Sequence, residues 1–404
     1  MDEIDALRQM RTGLAVEEPP ERLAQRIDWR DGGGARPRPR RRLRIRLVSV
    51  AATAAVAAGA VAAVVSTGDG DGDPAHDPRV ENPVPLKGNA LLVAATNALK
   101  APTGTYWHTR TVMGEIYAVG KSAANHYKVD SRQGNEAWFG PDGKGRNTHV
   151  EFADVPVTAA DKRKWEAAGS PKMVPVPDPE GTGQTVFLDM ASGEGAPHWM
   201  PDEGDFDGMT MKQLNELPAE PEALKEKLLG LRGHWHAVST DGERAEPIRA
   251  LRGQERVRAL SDVAGDLLST APASPKVRAA VFRMLADLPG VRPEGRTTDP
   301  LGRTGTVVSL PLTTTAPLGL FTAPKQLGTY RRQFIVDPAT GSLLAVRDLV
   351  ARPPHGSRPL PPGDNGRPRA LRAKDMPDRF HKPGEVAAYR AFATTEWTNA
   401  QPPR

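Results

Sequence analysis

The sequence predicts an α+β protein: a single transmembrane helix, then an extracytoplasmic domain with an antiparallel sheet and a helical segment. Three observations carry this prediction. Residues 47–66 hold no charge, seven Arg stand just before them, and strand-like and helix-like patterns occupy separate stretches of the chain beyond residue 88.

The chain begins with a short cytoplasmic segment, 1–46. Ile4, Leu7 and Leu14 share a helical face, and Leu23 and Ile27 form a second apolar pair after Pro19-Pro20. These five residues are candidates for docking a partner groove. Gly32 to Arg40 is a flexible connector leading into the juxtamembrane cluster that includes Arg40, Arg41, Arg42, Arg44 and Arg46. Residues 47–66 come next, with nine Ala and six Val. A helix of that length spans about 30 Å, the thickness of a bilayer's hydrocarbon core. Arg before the span and Asp69, Asp71 and Asp73 after it place the N-terminus in the cytoplasm. The apolar run is too long, and its preceding segment too extended, for a cleaved signal peptide. Residues 67–88 read as a linker. Its Gly-Asp repeat lacks the Gly and Glu that a calcium loop needs at its sixth and twelfth positions.

The outer domain is placed at 89–351. Ala90 to Ala101 reads as a helix, and Tyr106 to Val112 as a strand. Ala137 to Gly145 is a strand running into a Pro-Asp-Gly turn, with a return strand at Thr148 to Phe152. Residues 156–203 are expected as a surface excursion. Helices are predicted at Pro221 to Leu229 and Gln254 to Leu268. Another has Ser274 as N-cap, Pro275 at its first position and Gly290 as its stop. Phe334 to Val346 reads as a hairpin turning through Asp337 to Gly341. Residues 352–404 are expected as a Pro-rich exposed segment and tail.

Composition narrows function by exclusion. The chain has no Cys, which removes disulfides, thiolate metal sites, a catalytic thiol and a lipidated Cys anchor. The net charge of +5 sits almost wholly in residues 1–46, where 12 Arg face 8 Asp or Glu. No basic face remains for a nucleic-acid partner. No phosphate loop, zinc-protease motif or nucleophile elbow occurs. His234-Trp235-His236 reads as an ordinary polar strand, and Asp202, Glu203, Asp205 and Asp207 as a solvated acidic loop. Trp107 and Trp138 are candidates to line an apolar cavity. No catalytic, cofactor-binding or metal residue is assigned, and the chain reads as a non-enzyme without a cofactor.

The opening MDEIDALRQMR, the Arg run, the Ala/Val span, and the later SPKVRAAVFRMLADLPGV, DPLGRTG and FIVDPATGSLLAV together carry a resemblance. They are similar to an actinobacterial family of single-pass membrane proteins of uncharacterised role, often encoded beside sigma factors of the extracytoplasmic-function type. The resemblance implies topology and a regulatory setting, and supplies no catalytic residues. The strands bearing Trp138 and the Asp337–Gly341 turn, with their helices, also resemble the half-barrels of lipoprotein carriers. The expected function is therefore a regulator or sensor at the cell membrane. Its C-terminal domain is expected outside and its cytoplasmic partner is a sigma factor or similar regulator. The alternative is a tethered module for a lipid or other apolar ligand.

Overall fold

The computed structural model describes residues 90–179, 184–191, 193, 195, 197–233, 235, 245–315, 327–360 and 368–403. The chain divides into two units, Met1–Pro74 and Ala75–Arg404, and every described residue belongs to the second.

One large antiparallel sheet forms the body of this unit. In chain order its strands are β1 (Tyr106–Gly120), β2 (His126–Phe139), β3 (Gly145–Glu151) and β4 (Val155–Pro156). A separate two-stranded sheet comes after them, β5 (Met173–Pro177) with β6 (Thr185–Asp189), and then β7 (Met200–Asp202). β8 (Arg232–Gly233) and β9 (Glu246–Pro247) make another small pair. The main sheet resumes with β10 (Arg292–Thr298), β11 (Thr304–Thr314), β12 (Thr329–Asp337) and β13 (Ser342–Arg352). β14 (Ser357–Leu360) pairs with β15 (Arg369–Arg372), and β16 is Val386–Thr398. The main order is β10-β11-β12-β13-β16-β1-β2-β3-β7, with β4 beside β2.

Six α-helices are described: α1 (Ala90–Ala98), α2 (Ala159–Ala167), α3 (Met211–Asn215), α4 (Pro221–Leu229), α5 (Gly253–Leu268) and α6 (Pro275–Ala286). Strand outweighs helix among the described residues, 42% against 24%. This corrects the expected fold class. The sheet dominates, and among the described residues no helix is long and apolar enough to cross a membrane. The longest, α5, has 16 residues and carries Arg256, Arg258, Asp262 and Asp266. A spanning helix needs about 20 largely apolar residues. The transmembrane helix expected at 47–66, with the segments 1–46 and 67–88, lies outside the described residues.

Except for α2, which buries none of its residues, the helices gather on one face of the sheet because their apolar stripes need a partner surface. α5 packs on β11 and β13, and α6 packs against α1, α4 and α5. Phe282, Leu285, Leu267 and Val263 meet Phe334, Val336, Val308 and Trp107 in one continuous core. Fully burying a Leu or Phe side chain contributes about 1.5–3 kcal/mol, so this interface dominates stability. Ser274 caps α6 as expected from its sequence, its Oγ accepting from Val277 N at 3.3 Å.

The boundary expected at residue 351 does not divide the fold. β16 runs through the middle of the sheet, bonded to β13 on one side and β1 on the other. Its alternating Tyr389 and Ala391 face one way and Arg390 and Phe392 the other, so it is buried on both faces. Nor is 156–203 a plain excursion, since it forms α2 and the β5–β6 ribbon.

Candidate functional site

Trp107 and Trp138 do not line one cavity. Trp107 lies opposite Phe139 and His108 lies opposite Trp138. Adjacent residues of a strand point to opposite faces, so the two indoles lie on different sides of the sheet. Trp107 is fully buried on the helix side, donating from Nε1 to Thr270 O at 2.9 Å beside Trp397. Trp138 stacks on His108 at 3.9 Å, and Glu136 Oε1 lies 3.0 Å from His108 Nε2. The docking candidates Ile4, Leu7, Leu14, Leu23 and Ile27 lie outside the described residues, as do Arg40, Arg41, Arg42, Arg44 and Arg46. His234 and His236 also lie outside them.

The acidic loop largely serves its own turn. Asp202 accepts from Asn147 Nδ2 at 2.8 Å and Gly204 N at 2.9 Å, and Asp205 accepts from Gly208 N at 2.6 Å. Asp207 adopts φ 54°, between Phe206 and Met209, which are both buried. Its carboxyl is pushed well up by burial and by the nearby carboxylates Asp266 and Asp262. Those two belong to an ionic layer between α5 and the sheet. Arg390 bonds Asp266 at 2.9 Å, Arg258 bonds Asp262 at 3.2 Å, and Arg332 joins Asp262 to Asp348. Each carboxylate of that layer has a guanidinium, so it reads as a pinned interface between layers.

A different cluster is richer in unsatisfied chemistry. Along β2, His126, Lys128, Asp130 and Arg132 fall on the face away from Tyr127 and Val129, which pack on the opposite side. β1 presents Gly114, Ile116 and Ala118 next to this row. Gly114 matters because a Cβ there would lie 2.3 Å from the Tyr389 ring and 2.5 Å from Asp130 Oδ1. With no side chain in the way, Tyr389 of β16 reaches across β1 and donates its hydroxyl to Asp130 Oδ2 at 2.7 Å. Asp130 Oδ1 is buried and accepts nothing. Burial raises the Asp130 carboxyl to about 7, against the lowering effect of Tyr389 and Arg132.

The end of the row is covered by residues 376–385. Pro377 O accepts from Ala118 N at 2.7 Å, and Lys128 Nζ pairs with Glu385 Oε2 at 2.6 Å. His381 is 3% exposed and neither ring nitrogen has a partner. Burial, then the Lys128 ammonium, lowers its imidazole to about 3, so it is neutral at physiological pH. Asp378 accepts from the Tyr330 hydroxyl at 3.0 Å and is raised by burial to about 6. Among the described residues, no group of His, Asp and Glu is placed to hold a metal ion. What the row offers is a carboxyl that exchanges its proton near neutrality and two buried hydrogen-bonding groups without partners.

The sequence contains the signal for this row without its meaning. His126-x-Lys128-x-Asp130-x-Arg132 alternates with Tyr127 and Val129, the pattern of a strand with one solvated face. The covering segment arrives some 250 residues later, and only the fold joins the two. Comparison with protein-family models, with curated proteins and with solved structures finds no match to this chain.

Proposed function

We propose that this chain is a membrane-associated regulator rather than an enzyme. In this reading the domain of residues 90–403 senses conditions outside the cell membrane. Residues 1–46 meet a cytoplasmic partner such as a sigma factor, and the chain is held at the lipid bilayer. The observation that supports it is the Asp130–Tyr389 bond. It links β2 to β16 across β1, and its acceptor changes charge near neutral pH. A proton or small hydrogen-bonding ligand therefore bears directly on the middle of the sheet.

Affinity recovery from intact cells tests the partner. Full-length protein should bring down a regulator that a version lacking residues 1–42 does not. Identical recoveries remove the cytoplasmic partner. Asp130→Asn should flatten any dependence of that recovery on outside pH between about 6 and 8. An unchanged profile removes the β2 row from sensing.

A further inference from the structure

The β5–β6 ribbon has two unlike faces. Inward, Val174, Val176 and Leu188 close over Tyr117, Val119, Tyr127 and Val129. Outward, Phe187 is 55% exposed and Met173 48% exposed, with the exposed Pro175 directly opposite Phe187. A ribbon that met only water would carry polar residues there.

Exposed cations stand next to the ribbon, on α2 and at Lys172. Trp165 of α2 packs at the edge of the ribbon's inner cluster and donates from Nε1 to Pro171 O at 3.1 Å, tying α2 to the base of β5. α2 buries none of its residues. Lys162, Arg163 and Lys164 are exposed on it, and Lys172 is exposed just before Met173. Within residues 159–177 the exposed acid is Glu166, which already lies 4.0 Å from Lys162.

We infer that the outer face of the β5–β6 ribbon docks on an anionic lipid surface. Met173, Pro175 and Phe187 enter the headgroup boundary while α2 and Lys172 meet lipid phosphates. Charge complementarity selects this occupant: a small apolar centre flanked by an excess of exposed cations matches an acidic bilayer. Three apolar side chains make a shallow contact, and each cation near such a surface adds about fivefold in binding. The contact is reversible and independent of the β2 row.

The chain has no Cys, so Thr185→Cys in the full-length protein gives one attachment point beside Phe187 for an environment-sensitive fluorophore. Vesicles are phosphatidylcholine alone or mixed with phosphatidylglycerol. On the mixed vesicles the label should shift to the blue and be quenched by spin-labelled lipid; on phosphatidylcholine alone it should stay aqueous. Adding Lys162→Glu, Arg163→Glu and Lys172→Glu should raise the lipid needed for the shift at least about a hundredfold. Phe187→Ser should weaken quenching while leaving a label at Leu301→Cys unchanged. Flotation separates tethering from docking: floated protein with an aqueous label overturns the inference. So does an equal shift on phosphatidylcholine, or a shift that appears only when a soluble acidic protein is added.

Discussion

Asp130 sits beneath the Tyr389 hydroxyl with one oxygen bonded and the other enclosed without a donor. Its raised proton affinity, reaching about 7, means the folded state holds that proton more tightly than the unfolded chain does. Stability from this group is full below about pH 4 and is lost as pH rises through about 7. Asp130→Asn should therefore raise folding stability by about 2–4 kcal/mol at pH 8 and by little at pH 4, measured by thermal denaturation across pH. His381 runs in the opposite direction. Its folded imidazole is lowered to about 3, so stability falls as pH drops below about 6.5. His381→Leu should gain more stability over wild type at pH 5 than at pH 8. Equal gains at both would mean that His381 does not titrate on unfolding. Neither role was legible in the sequence, because alternating polar residues on a strand look the same whether water or a distant segment covers them. The parity that separates Trp107 from Trp138 was not legible either, because it rests on the β1–β2 register that sets Trp107 opposite Phe139 rather than opposite Trp138.

At the scale of elements, what could be read was what is local. α6 announces itself through Ser274 and Pro275, each acting on its own few residues, but its end falls at Ala286 with Asp287 as the cap, ahead of the expected stop at Gly290. Ser274→Ala should cost about 1 kcal/mol in chemical denaturation, because Val277 N loses its acceptor. The β12–β13 turn was equally plain, but its role was not. Gly341 has φ 70°, and a Cβ there would lie 2.3 Å from Ala98 N of α1. Asn97 of the same helix donates to Pro338 O at 2.8 Å. The turn is thus the seat of α1. Gly341→Ala should cost at least about 2 kcal/mol, through left-handed strain and the displaced helix together. A loss well below that in denaturant titration would mean α1 moves freely off the turn. β16 escaped sequence reading for the opposite reason. Its neighbours in the sheet are far away along the chain, and the Pro-rich stretch before it suggested an exposed tail.

At the scale of the molecule, β16 joins β10–β13 to β1–β3. Removing residues 386–403 would leave two strand blocks with bare edges and uncover Phe334, Trp107 and the helices packed on them. Such a truncation should abolish the cooperative thermal transition and expose dye-binding apolar surface. A retained sharp transition would show that one block folds alone. The ionic layer of Arg332, Asp262 and Asp348 makes a complementary case. Asp262→Ala leaves Arg332 and Arg258 short of a buried partner and should cost about 3 kcal/mol or more.

The pairing of Tyr106 with Thr398 has a consequence for how the molecule comes into being. A ribosome delivers β1 long before its neighbour exists. β1 and β2 can close on each other at once, and β11, β12 and β13 can do so later, but the seam between the blocks waits for residues 386–398 to emerge. Until then both blocks carry an open strand edge. Folding is then completed by a single insertion event, with a rate set by the search of one late strand for a slot between two finished edges.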